Sequence, residues 1–286
     1  MIYEDAKAWA AAPNKRVCLF GMSGLGKTHT ANMLRASGAW FHYSIDYRIG
    51  TRYLGEAIAD NAKAHAMQVP FLRELLLTDS IYIGSNITFD NLAPLSTFLG
   101  KPGDPSKGGI PIDTYRERQA LHDEGERAAL LDTPHFMERA LSLYGYPHFV
   151  CDTGGSICEV VDPDDPKDPI LKTLSEHMLM VWIEGTEEHR AELVRRFNAN
   201  PKPMCYRRAF LDECWSLYLS ETGATPETVD PDDFIRFAFA RAVDRRHPIY
   251  RGMARWGVTV QAAEVAEVRT PEDFDSLIAR ALDRRA

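Results

Sequence analysis

The segment Gly21-Met22-Ser23-Gly24-Leu25-Gly26-Lys27-Thr28 constrains this chain more than any other stretch. It satisfies G-x-x-x-x-G-K-[ST], the pattern of a backbone loop that cradles phosphate. A short apolar run, Arg16 to Phe20, leads into it, and a helical stretch from Lys27 to Ser37 follows, with Gly38 placed as its C-terminal stop. That strand-loop-helix context is what the mechanism requires. The glycines let the backbone curl until its N–H groups face inward, and the helix start adds partial positive charge. With glycine near 7% of average composition, the four specified positions arise by chance in about one chain in a hundred of this length. The expected nucleotide-contacting set is Gly21, Ser23, Gly24, Leu25, Gly26, Lys27, Thr28 and His29. Within it Lys27 should reach the β- and γ-phosphates, and the Thr28 hydroxyl should ligate Mg²⁺. Such a loop specifies a nucleotide and leaves the reaction open.

A length of 286 residues allows about two domains, or one domain with a large insertion. Strand-like runs alternate with amphipathic helical stretches, the pattern of an α/β protein with a parallel sheet. Strands are predicted at Arg16 to Phe20, Trp40 to Ile45, His148 to Cys151, Met178 to Ile183 and Gly257 to Val260, with a closing helix from Pro271. The stretch between Asp46 and Asp152 is far longer than one crossover helix requires. It holds a predicted helix from Ile49 to Met67 stopped by Pro70, an alternating run Ile81, Ile83, Ile87, Phe89, a Gly/Pro loop from Gly100 to Pro111, and a charged helix from Thr114 to Leu131. Residues 61–145 are therefore expected to form a cap subdomain inserted in a single domain spanning 1–286.

Lys plus Arg number 33 against 41 Asp plus Glu, and a net charge of −8 supplies no general field for nucleic acid or an anionic membrane. No apolar run approaches the ~18 residues of a membrane helix. The opening Met1-Ile2-Tyr3-Glu4-Asp5 lacks the layout of a secretory signal, so a cytoplasmic location is expected. Cys18, Cys151, Cys158, Cys205 and Cys214 show no CxxC or zinc spacing and read as reduced thiols, mostly in the core. The acidic run Asp162 to Pro169 lacks the glycine and terminal glutamate of a calcium loop and reads as solvated.

Four further segments fall in an order that resembles the shikimate kinase type of small-molecule P-loop kinase. The second strand ends Ser44-Ile45-Asp46 where that family places D-x-D; the resemblance gives Asp46 the acceptor hydroxyl, and Ser44 replaces the first aspartate. Asp152-Thr153-Gly154-Gly155-Ser156 is similar to the family's glycine loop, which places Gly154 and Gly155 against the acceptor; Asp152, at the end of an apolar strand, is a candidate Mg²⁺ carboxylate. Pro201-Lys202-Pro203-Met204 resembles the lid segment, with Lys202 in place of arginine, and Arg195 and Arg196 match the lid-helix arginine. Arg246-His247-Pro248-Ile249-Tyr250 resembles the family's Arg-x-Pro-x-Tyr helix start, whose arginine pairs with an acceptor carboxylate, with Arg245 as the adjacent alternative. Bland roles compete throughout: helix or loop caps for Asp46 and Asp152, a solvated helix end for Arg195 and Arg196, a surface position for Arg246. A remaining substrate arginine falls on Arg116, Arg127 or Arg139 without a choice among them.

These segments together imply a P-loop NTPase three-layer fold and an ATP- and Mg²⁺-dependent phosphotransferase acting on a hydroxyl of a small, anionic metabolite. Lys27, Asp46 and Lys202 would be catalytic. The alternative is a nucleotide-dependent switch whose insertion docks a protein partner. Oligomeric state is not legible.

Overall fold

The computed structural model describes residues 2–285. In chain order the elements are α1 (Ala6–Ala11), β1 (Arg16–Phe20), α2 (Lys27–Ala36), β2 (Trp40–Ser44), α3 (Ile45–Arg48), a π-helical turn Ile49–Tyr53, α4 (Gly55–Ala66), α5 (Pro70–Leu77) and α6 (Ala93–Leu99). They continue with α7 (Ile112–Leu131), α8 (Thr133–Tyr144), β3 (His148–Asp152), α9 (Ile157–Val160), α10 (Pro169–His177), β4 (Leu179–Glu184) and α11 (Glu187–Ala199). The last are α12 (Arg208–Thr222), α13 (Pro231–Met253), β5 (Val258–Gln261), α14 (Ala262–Ala266) and α15 (Pro271–Asp283). None of the described helices is long and apolar enough to cross a membrane.

The chain divides into two compact units. Residues 1–45, 126–201 and 236–286 form the sheet unit; 46–125 and 202–235 form the second. The second differs from the expected insertion 61–145, because residues 126–145 pack with the sheet unit and 202–235 join the inserted stretch.

Five parallel strands in the order β2-β3-β1-β4-β5 make the sheet, an α/β arrangement. The inner strands read as nearly unbroken apolar runs, Val17-Cys18-Leu19-Phe20 and Leu179 to Ile183, all buried. Continuous rather than alternating hydrophobicity is what a parallel sheet covered on both faces demands. Each predicted strand is present within one or two residues of its expected bounds. Leu19 lies opposite Asp152, and Ser44 lies opposite Asp152 on the other side, so the C-terminal ends of β1, β2 and β3 are level. Ligands of open parallel sheets bind beyond these ends.

The second unit is helical, and among its described residues it holds no strand, only isolated bridges Thr88↔Asn91 and Pro102↔Ile110. The alternating run at Ile81 to Phe89 is therefore not a strand. Its apolar side chains found helical partners instead. Ile87 is buried against Gly50, where a Cβ would stand 2.7 Å from its Cδ1, and Phe89 stacks on Tyr47 with ring centres 4.8 Å apart. Pro70 does end the preceding helix, but as the first residue of α5, a position where its missing N–H costs nothing. Pro248 likewise corrects the expected helix start: it lies inside α13, which begins at Pro231.

Candidate functional site

Residues 21–28 form a tight loop at the C-terminal end of β1. Gly21 has φ +137, and a Cβ there would meet the Ile183 carbonyl oxygen at 2.6 Å, so only glycine fits between β1 and β4. Gly26 turns the chain into α2 at φ +98, with Val265 as its neighbour. Ser23 and Gly24 are exposed. The N–H groups of Ser23, Gly24 and Gly26 have no acceptor among the described residues. A run of unanswered N–H groups at a helix start is an anion nest. The Lys27 ammonium is buried and donates to the carbonyl oxygens of Gly21 at 2.7 Å and Met22 at 2.9 Å, which curls it back into the loop.

Thr28 reaches across from the first turn of α2 to β3. Its hydroxyl donates to Asp152 Oδ2 at 2.6 Å, while Oδ1 accepts from the Gly154 N–H at 3.2 Å. Asp152 is 3% exposed, and one hydroxyl and one amide hold its carboxylate beside the start of α2. A hydroxyl and a carboxylate side by side suit Mg²⁺, which takes oxygen ligands and keeps several waters. His42, buried on β2, is held neutral, its pKa pushed down to about 4 by burial and by Arg35 against the opposing pull of Asp152.

The glycines after β3 serve the loop rather than open space. A Cβ on Gly155 would meet Ser23 Oγ at 2.4 Å, so the two loops touch through a side-chain-free position. The Gly155 carbonyl accepts from Tyr250 Oη at 2.9 Å and from Arg246 Nη1 at 3.4 Å. Ser156 donates to the buried carboxylate of Glu126 at 2.8 Å, and Thr153 to the Leu19 carbonyl at 3.1 Å. Every residue of this turn is tied down.

Arg246 is not at a surface. Its side chain is 5% exposed, and Nε donates to Glu159 Oε1 at 2.7 Å; Arg245 donates to Oε2 at 2.8 Å. Burial alone would raise the Glu159 pKa, yet the two guanidiniums outweigh it and hold the carboxyl below its usual range. The arginine expected to meet an acceptor carboxylate is thus paired with a carboxylate of the chain itself.

Arg196 does stand over the 21–28 loop: a Cβ on Gly24 would lie 2.8 Å from its Nη2. Arg195 points elsewhere, exposed and paired with Glu192 at 2.7 Å. His29 is exposed on α2, and Leu25 is buried with its side chain against Gly185. Asp46, in α3, and exposed Lys202 both belong to the second unit. There the segment after Lys202 is fastened to α7: Gln119 donates to the Met204 carbonyl at 3.0 Å and accepts from the Tyr206 N–H at 2.8 Å, and Tyr115 donates to the same carbonyl at 2.9 Å. Arg116 is paired with Asp113 and Asp212, while Arg127 and Arg139 are exposed.

No family model, curated protein or solved structure matches the chain. The site is therefore read from its own atoms. Two tied-down polar residues were not expected from the sequence, Glu159 in the sheet unit and Gln119 in the second. Glu159 carried a signal, a lone acid inside the apolar run Ile157-Cys158-Glu159-Val160-Val161. Gln119 carried none, since it is one of many polar residues on a charged helix.

Proposed function

We propose that the chain binds ATP with Mg²⁺ through residues 21–28 and Asp152, in a P-loop NTPase arrangement, and transfers the terminal phosphoryl group to a hydroxyl of a small acceptor. The observation that carries this reading is the 2.6 Å bond between Thr28 and Asp152 beside an N–H nest closed by Lys27. Thr28 and Asp152 would hold the cation, which when bound neutralises phosphate oxygens. The loop N–H groups and Lys27 would grip the phosphates, and Arg196 would add positive charge above them.

In the transfer a bond forms between the acceptor oxygen and the terminal phosphorus. The bond from that phosphorus to the bridging oxygen breaks, and its electron pair leaves with ADP. Asp46 would orient the acceptor hydroxyl and take its proton, and Lys202 would offer charge to the moving group; both roles rest on the motif resemblance. An anionic acceptor rests on the same resemblance, with Arg246 and Arg245 sharing the single carboxylate of Glu159.

Lys27→Ala is the direct test. Calorimetry with Mg²⁺ and a non-hydrolysable ATP analogue should show affinity falling by about a hundredfold or more, the expected loss for a charge-assisted phosphate contact of roughly 3 kcal/mol. Unchanged affinity would end the proposal. ATP consumption that rises only when a metabolite pool is added separates a kinase from a switch, which would hydrolyse slowly alone.

A further inference from the structure

The second unit contains a groove of about 380 Å³ between α4, α6 and the segment at Gly84 to Asn91. Small residues open it: Ala59 and Ala62 on α4, Ala93 on α6. Its far wall is irregular chain, yet that chain is pinned by buried Ile87 over Gly50 and by Phe89 on Tyr47. The space is thus built by packing and is in the size range of small-molecule sites.

Two independent features say what it would take. The first is a fixed donor. Arg118 Nη2 donates to Asn61 Oδ1 at 2.7 Å. A guanidinium can only donate, so the amide oxygen must face Arg118, which leaves the Asn61 NH₂ as the group available to the groove. The second feature is charge. No Asp or Glu lines the groove, and its other polar groups, Ser85, Asn86 and Thr97 among them, are neutral. Behind Asn61, half-buried Arg118 bonds only to neutral acceptors, Asn61 and the Phe98 carbonyl, and no carboxylate lies within ion-pair range among the described residues. Burial pushes its pKa down, and the guanidinium lies over the Phe98 ring, 5.1 Å from its centre. Arg116, two residues away, is paired with two aspartates, so acids were within reach of this helix and none was placed at Arg118.

We infer that this groove binds a small organic carboxylate with an apolar body, its carboxylate meeting Asn61 NH₂ and the field of Arg118, its body lying on the alanine and Phe98 walls. The inference stands on the second unit alone and does not need the nucleotide reading.

The test uses the full-length protein and matched probe pairs in saturation-transfer and chemical-shift titrations: benzoate with benzamide, cyclohexanecarboxylate with its amide. The carboxylates should bind about tenfold tighter than the amides. Thr97→Trp, which fills the groove, should abolish binding. Arg118→Met should erase the preference for carboxylate, and Arg118→Lys should retain it; each fold is checked by thermal unfolding. Should Arg118→Met fail to fold, Arg118→Lys and Thr97→Trp still decide. No binding by either carboxylate, equal binding of the amides, or binding that survives Thr97→Trp overturns the inference. Lys27→Ala should leave carboxylate binding intact, which keeps this result separate from that of the phosphate loop.

Discussion

Glu159→Gln is the sharpest probe of how the loop after β3 is held. The native carboxylate is 2% exposed and faces two guanidiniums, Arg246 at 2.7 Å and Arg245 at 2.8 Å. Glutamine keeps the shape, deletes the charge and turns an NH₂ toward one of the two arginine donors. Arg246 then sits buried without the carboxylate that faced it at 2.7 Å. Breaking one side of a buried pair costs about 3–5 kcal/mol, because the remaining charge has been stripped of water. At about 2 °C per kcal/mol for a chain of this size, Tm should fall by roughly 6–10 °C. Arg245 contributes less to that figure, since 27% of its side chain is exposed and it can turn to solvent.

Urea and thermal unfolding of wild type, Glu159→Gln and the double variant Glu159→Leu/Arg246→Met would measure it. The double variant removes both buried charges and should recover most of the loss. pH adds an independent check. Because the Glu159 pKa is depressed in the folded protein, its contribution is complete above the unfolded carboxylate value of about 4.3 and is lost as pH falls through the folded value. The gap between wild type and Glu159→Gln should therefore be constant from about pH 6 to 8 and close only below about pH 4. A loss under about 1 kcal/mol, or a double variant no better than the single, would refute the argument that this carboxylate is what Arg246 is for.

Thr28→Val keeps the volume but leaves Asp152 Oδ2 without its donor; stability should fall by about 1–3 kcal/mol, and Mg²⁺ should no longer strengthen nucleotide binding in calorimetry. Gly155→Ala should weaken nucleotide affinity several-fold by pressing on Ser23, and Ser23→Gly in the same chain should restore it, which a purely local effect at Gly155 would not allow. Gln119→Leu removes its bonds to the Tyr206 N–H and the Met204 carbonyl and should cost about 1–3 kcal/mol in urea unfolding. Of the five thiols, Cys205 alone is partly exposed; it should react quickly with a disulfide reagent at pH 8, while the other four wait for denaturation, Cys158 being additionally protected by a pKa that burial pushes up to about 11.

The sheet was legible because its signal is local. A buried parallel strand must be apolar on both faces, and runs such as Val17 to Phe20 or Leu179 to Ile183 satisfy that without reference to anything distant. The loop at 21–28 was legible for the same reason: eight consecutive residues carry the unanswered N–H groups, the ammonium and the hydroxyl. The second unit was opaque because its order comes from pairings that leave no periodic trace. Ile87 lodges over Gly50, and Gln119 imitates a strand by bonding both Met204 and Tyr206, but neither act alters the sequence pattern around it. An alternating run reads as a strand only if another strand exists to meet it, and here helices were the partners.

The arginines show where motif reading stops and electrostatics must begin. Arg246, Arg195, Arg116, Arg196 and Arg118 are equivalent letters, yet what each can do depends on whether a carboxylate has already cancelled its charge. Glu159 is 87 residues from Arg246, and Asp212 is 96 from Arg116, so the cancellation is invisible until the chain is folded. Arg196 and Arg118 have no carboxylate within ion-pair range among the described residues, the first above Gly24 and the second behind Asn61. A cation bonded only to neutral dipoles retains the field that attracts an anion, whereas one locked to a buried carboxylate contributes structure and little else. On that criterion Arg196 on α11 and Arg118 on α7 are candidates to attract an anion, and replacing either by methionine should weaken anion binding in its own unit while leaving the other's unchanged.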